Sequence, residues 1–123
     1  FRGSDNDMRI LILRRQLSGG LSAKGEVVSC PVIEKYVKSI AEEVELKGSI
    51  NIQLRKTLNG PLLFEINPRL SSTVVFRDKM GFRDLLWWIE LAFKCDVSEY
   101  APPRLGTRFY RGSAEYLIYQ EDL

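Results

Sequence analysis

The chain has 123 residues, 45% of them apolar and 28% charged, which suits one compact domain or a piece of a larger one and argues against global disorder. Eighteen basic residues against sixteen acidic ones leave a net charge of +2, too balanced to require a nucleic-acid or membrane partner. The absence of histidine excludes Ser-His-Asp and Cys-His chemistry and His-ligated zinc within this chain, and the two cysteines, Cys30 and Cys95, are too few for a disulfide scaffold and are expected as buried reduced thiols.

Phe1-Arg2, followed by Gly3-Ser4-Asp5-Asn6-Asp7, reads as the stub of a strand and then a turn. A chain opening this way is expected to be either a cut from something longer, made inside a hairpin, or the product of an expression scar. Met8 to Leu17 alternates as a strand, apolar on both faces for part of its length. Ser18-Gly19-Gly20 ends it, Lys24-Gly25 is a second break, and Glu26 to Ser29 suits a short strand. Pro31 suits the first turn of a helix over 32–47, with Ser29 or Cys30 as cap and Gly48 as its stop. Ile33, Tyr36, Val37, Ile40, Ala41 and Val44 would form its inner face.

Two strands follow, over 49–56 and 61–67, with Thr57-Leu58-Asn59-Gly60 as the hairpin signal. Ile50, Ile52 and Leu54 alternate with Asn51, Gln53 and Arg55. Phe64 and Ile66 oppose Leu63, Glu65 and Asn67. Directly paired residues share a face, so the register can be chosen by its consequences. A two-residue Asn59-Gly60 loop would pair Gln53 with Ile66 and mix the faces. A three-residue Leu58-Asn59-Gly60 loop with a bulge at Gly60 pairs Gln53 with Glu65 and Ile52 with Ile66, and that register is the one expected, although Pro61 has no N–H to close the loop.

Beyond Asn67-Pro68-Arg69 and Ser71-Ser72-Thr73, the pattern predicts a short helix to Lys79, a break at Gly81 and a helix over 83–94. Its core stripe is expected to be Leu85, Leu86, Trp88, Ile89, Ala92 and Phe93, with Trp87 partly exposed or at an interface. Ala101-Pro102-Pro103 is a linker, Gly106 to Tyr119 reads as two strands around Arg111-Gly112, and Gln120 onward is tail. The expected fold class is α+β: one antiparallel sheet from the strands at 8–17, 49–56 and 61–67, extended by 107–119, with the helices on its apolar face, away from Gln53 and Glu65. Residues 1–100 form the main lobe and 101–123 a linker and strand extension.

Gln53, Glu65 and Asn67 would then form one polar cluster on adjacent strands. An oxygen-only set with one carboxylate suits Mg²⁺, a hard ion that leaves positions for water and phosphate. Arg69 continues that face and could clamp a phosphate or carboxylate bidentately. A cation site beside an anion receptor is the apparatus of charge neutralisation in phosphoryl transfer. The bland alternative is a polar strand face that meets water.

Glu65-Ile66-Asn67-Pro68-Arg69, followed by Ser71-Ser72, resembles the metal-binding strand of ATP-grasp enzymes, and Gly48-Ser49-Ile50-Asn51-Ile52-Gln53-Leu54 resembles the strand before it. Gln53, where many relatives are acidic, is similar to the large chain of carbamoyl-phosphate synthase. The similarity runs from about Met8 to Cys95 and is most specific at Gln53, Glu65, Asn67 and Arg69. It implies the C-terminal lobe of an ATP-grasp fold, whose enzymes phosphorylate a carboxylate with ATP and pass the acyl phosphate to a nucleophile. By that resemblance, ATP and Mg²⁺ are the cofactors of the intact parent and a carboxylate-type substrate its ligand. Glu65 would bridge two Mg²⁺ ions, and Asn67 and Gln53 would complete the metal ligands. Arg69 would be catalytic, holding the acyl acceptor or the transferring phosphate. Gly20, Leu21 and Ser22 would approach the nucleotide, Ser22 standing near where the synthase has a histidine. The family's site lies between two lobes, so the expected partner is an N-terminal lobe carrying the lysine, the adenine-binding hinge and the phosphate loop. The 123 residues alone are expected to be inactive.

Two other classes compete with this enzyme-fragment reading. One is a non-catalytic anion-binding module, using eleven arginines against seven lysines, with Arg14, Arg15, Arg77, Arg104, Arg108 and Arg111 on one face. The other is a self-associating piece, a homodimer formed through the sheet edge beside Met8 to Leu17. No nucleic-acid or membrane partner is expected. The longest apolar cluster, Leu85 to Phe93, is interrupted by Glu90, and no signal-peptide core is seen, so the expected compartment is the cytoplasm.

Overall fold

A computed structural model describes residues 1–4 and 7–112. In chain order they form β1 (Leu13–Ser18), β2 (Leu21–Val27), α1 (Pro31–Glu43), β3 (Asn51–Thr57), β4 (Gly60–Asn67), α2 (Val74–Lys79), α3 (Asp84–Ala92) and β5 (Arg108–Tyr110). The class is α+β and these strands pair antiparallel, as expected. The strands divide into two sheets instead of one: β1-β2-β5 in that order, and β3-β4 as a separate ribbon.

The first sheet begins at a two-residue turn. Gly19 and Gly20 both take positive φ, 57° and 78°, which matches the twist of a tight hairpin and which residues with a Cβ rarely adopt. Ser18 therefore pairs with Leu21, and a full strand follows where only a short one was expected. Lys24-Gly25 is no break. Gly25 lies inside β2 because the ring of Phe109 on β5 presses against it, and a Cβ there would stand 2.6 Å from that ring. Of the predicted pair of C-terminal strands, the first is β5, paired with β2. The second, with the tail, lies outside the described residues. Met8 to Ile12 is not strand, although Met8 bridges Arg2 beside the predicted N-terminal stub; the predicted turn lies partly outside the described residues.

α1 starts at Pro31 behind Cys30, and ends at Glu43, short of Lys47. Glu45 takes a left-handed φ of 49°, so the chain leaves the helix before Gly48 is reached. Gly48 serves instead as a bridge partner of Arg2 and lies against the Trp88 indole.

The main core gathers Phe1, Phe82 and Trp87, with Leu11, Trp88, Leu91, Val97 and Tyr100 packed around them. Tyr100 meets both Phe82 and Trp87 edge to face, with ring centroids 5.4 and 5.3 Å apart. This reverses the expected orientation of α3. Trp87 is fully buried, whereas Leu85, Ile89 and Phe93 are 47%, 47% and 77% exposed. The inner stripe is Asp84, Trp87, Trp88 and Leu91, at helical spacing i, i+3, i+4 and i+7. Its first member is a charged residue, which hid the stripe from a search for apolar positions. A smaller cluster holds the β1-β2-β5 sheet to α2, where Phe76 stacks on Phe109 at 4.6 Å.

The thiols are free, Cys30 half-buried and Cys95 exposed, so the burial expected for both holds for neither in full. Among the described residues no helix is long and apolar enough to cross a membrane.

Candidate functional site

The β3-β4 ribbon carries the predicted cluster. Gln53 pairs with Glu65, Ile52 with Ile66, and Asn51 with Asn67. The register at these rungs is the expected one, but a different device produces it. Thr57 pairs with Gly60 across a two-residue Leu58-Asn59 turn, and the extra residue is Phe64, bulged between Leu63 and Glu65. The Thr57 hydroxyl ties the turn, donating to the Gly60 carbonyl at 2.8 Å and accepting from the Asn59 N–H at 3.2 Å. That locks the turn next to Pro61, which has no N–H of its own. The bulge also moves Leu63: it faces Leu54 across the ribbon and belongs to the apolar side, not beside Glu65 as expected.

A cleft of about 1240 Å³ runs between α1, β1, β3 and the segment after β4. Gly20, Leu21, Ser22, Gln53, Glu65 and Arg69 all line it. Residues predicted for the nucleotide, the metal and the acyl group thus lie along one extended cleft, which also borders Ile50, Ile52 and Leu54 on the other face of β3. Asn67 stands outside the lining, half-buried two rungs from Gln53–Glu65 on the same face of the ribbon. Arg69 is exposed and reaches back, its Nη2 donating to Asn67 Oδ1 at 3.3 Å and its Nη1 to the Leu70 carbonyl at 3.1 Å.

Arg15, half-buried on β1, joins the two sheets. Its Nη1 donates to Ser22 Oγ at 2.8 Å, and its Nη2 donates to Gln53 Oε1. Ser22 is fully buried, so its hydroxyl is turned to Arg15. Arg111 supplies a second tie, donating from Nε to the Ser22 carbonyl at 3.0 Å and from Nη2 to the Ser72 carbonyl at 2.8 Å.

Behind the site lies a buried network. Arg77 and Asp84 form an ion pair at 2.7 Å, 8% and 1% exposed. Arg77 Nη1 also donates to Ser71 Oγ at 2.5 Å and to Thr73 Oγ1 at 2.7 Å, and Ser49 Oγ donates to the Asp84 carboxylate at 2.5 Å. The start of β3 and the turn after β4 are thereby pinned to α2 and α3. Charges taken from water need this kind of complete pairing to be tolerated. The competing arginine face loses three of its members: Arg77 is inside, Arg14 pairs with Glu26 at 2.6 Å, and Arg111 braces backbone carbonyls. The Arg14 hydrogen bond holds the Glu26 carboxyl below its ordinary range.

The donor set at the ribbon suits a hard divalent ion. Glu65 is exposed to the cleft and enters no ion pair among the described residues. The buried Asn67 Nδ2 has no hydrogen-bond partner, and its Oδ1 is held only by Arg69. Among the described residues no three of His, Cys, Asp and Glu come together, which leaves this mixed set of one carboxylate and two amides as the candidate.

Sequence reasoning missed Arg15, Arg77, Asp84 and Ser49 as members of the site's framework. One signal for Arg15 lay in its place at the end of the apolar alternation Leu11-Leu13-Arg15, where a charge breaks an inward face. Nothing in the local pattern marks Ser49 or Arg77.

Compared with curated proteins, the chain has no match. The family model described as "ATP-grasp in the biosynthetic pathway with Ter operon" matches residues 2–109, which is most of the sequence, and the chain therefore belongs to the ATP-grasp family.

Proposed function

We propose that this chain provides the magnesium-binding wall of an ATP site at which a carboxylate is phosphorylated to an acyl phosphate, in the manner of the carbamoyl-phosphate synthase large chain. ATP-grasp membership supports ATP use and ligase-type chemistry in general. The observation that carries the finer reading is the rung pairing Gln53 with Glu65 in the same cleft as Ser22 and Arg69.

Glu65, Asn67 and Gln53 would hold Mg²⁺, which when bound neutralises charge on the terminal phosphates. Gly20, Leu21 and Ser22 would bound the nucleotide side of the cleft. Arg69 would take the substrate carboxylate or the transferring phosphoryl group, a reading supported by its fork, which already binds oxygens. The carboxylate oxygen attacks the γ-phosphorus, the bond to the β-phosphate bridging oxygen breaks, and ADP leaves. The remaining wall of such a site would come from an N-terminal lobe, and a cytoplasmic setting fits both ATP and the free thiols.

Titration of the chain with Mn²⁺, followed by electron paramagnetic resonance, tests the metal assignment. Glu65→Ala is expected to weaken Mn²⁺ binding by about tenfold or more, because even indirect partners of a metal commonly contribute that much. Unchanged binding would overturn the assignment and favour a non-catalytic anion-binding module.

A further inference from the structure

We propose that Arg15 is a built-in counter-cation that occupies Gln53 until a polyphosphate arrives, so that divalent metal loads into the cleft with or after polyphosphate and not before it. The proposal rests on the reading of Gln53, Glu65 and Asn67 as metal ligands, and adds to it a residue and a rule of loading.

Among the described residues Arg15 and Arg2 are the half-buried arginines that bond only neutral oxygens, and of the two Arg15 is the one that stands at Gln53. Arg9, Arg14 and Arg77 each hold a carboxylate, those of Asp7, Glu26 and Asp84. Arg15 is half-buried, yet both of its partners are neutral oxygens, Ser22 Oγ and Gln53 Oε1, and among the described residues it enters no ion pair. Glu65 stands directly across the ribbon from Gln53 and still does not reach it. A partly desolvated guanidinium without a counter-charge is unfavourable unless an anion completes the site.

The guanidinium is also held in place. Ser22 is fully buried and spends its hydroxyl on Arg15, and Arg111 fixes the Ser22 carbonyl. Arg15, Gln53 and Glu65 line one cleft. A planar fork fixed at the wall of a cleft is suited to the oxygens of a phosphate, which it binds with two parallel hydrogen bonds.

Gln53 is where the two cations conflict. Its amide oxygen already accepts from Arg15. A divalent ion placed on the same oxygen would face the guanidinium at short range, and like charges in a partly dry cleft repel strongly. An oxyanion removes the conflict, because phosphate oxygens accept from the guanidinium while others coordinate the metal. Arg15, still anchored through Nη1 on Ser22, then turns its Nη2 from Gln53 to the phosphate and releases the amide. Metal alone is opposed by Arg15, and polyphosphate alone is assisted by it.

The experiment measures two affinities separately on the 123-residue chain: Mn²⁺ alone by electron paramagnetic resonance, and inorganic tripolyphosphate alone by calorimetry. Arg15→Met is expected to move them in opposite directions, Mn²⁺ binding about tenfold tighter and tripolyphosphate about tenfold weaker, a coupling of ordinary size for one charged group. A loss of both, or a change in neither, overturns the proposal. Glu65→Ala separates this from the metal assignment: if it weakens Mn²⁺ while Arg15→Met leaves both affinities alone, the ligands stand and the role of Arg15 falls. A second measurement needs no variant. In the wild-type chain the Arg15 guanidinium resonances should shift on adding tripolyphosphate, and stay in place with acetate or chloride at equal ionic strength. No shift, or an equal shift with acetate, overturns the assignment of a phosphate-selective site.

Discussion

Asp84 is the residue on which the framework of the site converges. Its carboxylate accepts from Arg77 through two nitrogens and from the Ser49 hydroxyl. Arg77 in turn gathers Ser71 and Thr73, directly after the strand that carries Glu65 and Asn67. Removing one partner of such a pair leaves the other charge buried and uncompensated, which costs about 3–5 kcal/mol. Asp84→Asn keeps the shape and removes the charge, and is expected to lower the unfolding free energy by that amount in a urea titration. A loss below about 1 kcal/mol would mean that the network is looser than it is drawn. This network was not legible in the sequence for a physical reason. Ser49, Ser71, Thr73, Arg77 and Asp84 are ordinary polar residues whose meaning depends on three segments meeting. By contrast Gln53, Glu65 and Asn67 could be read, because strand alternation puts Glu65 and Asn67 on one face and pairing selects Gln53.

Elements were read best where the period is short and the pairing local. The β3-β4 register came out as expected at the rungs that matter, while the bulge moved from Gly60 to Phe64. Both arrangements insert one residue between the turn and Glu65, so face matching can fix their sum but not the location of the extra residue. The split into two sheets was invisible, since nothing local says whether a hairpin joins its neighbours. For α3 the apolar pattern was misleading: the helix is apolar nearly all round, so hydrophobicity alone does not choose a face. The buried Asp84 and the aromatic cluster around Trp87 choose it. Trp87→Ala is therefore expected to destabilise the chain by about 3–5 kcal/mol, as for other large aromatic truncations in a core. Leu85→Ala, on the exposed face, should cost under about 1 kcal/mol. Equal losses in a paired denaturation experiment would restore the orientation that the apolar stripe suggested.

At the scale of the whole molecule, the cleft is a joint between two sheets that share no backbone ladder. Among the described residues, side chains cross it near the site: Arg15 to Gln53, Arg111 to Ser72 and over the Phe76 ring, and the stack of Phe76 on Phe109. Gly20, Leu21 and Ser22, proposed for the nucleotide side, belong to the β1-β2 hairpin and the candidate metal ligands to the other sheet, so their spacing depends on these few contacts. Positioning of this kind supplies much of the acceleration in phosphoryl transfer, and it weakens steeply with small displacements. A lobe that carries the proposed metal ligands on one sheet but sets the proposed nucleotide side through a few crossing contacts is suited to binding before it is suited to turnover. The 123-residue chain is therefore expected to release no phosphate from MgATP above the level of its Glu65→Ala variant, while still taking up Mn²⁺ with tripolyphosphate. A phosphate-release assay on both proteins checks this. Turnover by the unaltered chain that vanishes in Glu65→Ala would mean that one lobe assembles a complete site. Matching rates that stay at background, together with metal uptake, mean that the second wall of the cleft is what converts binding into chemistry.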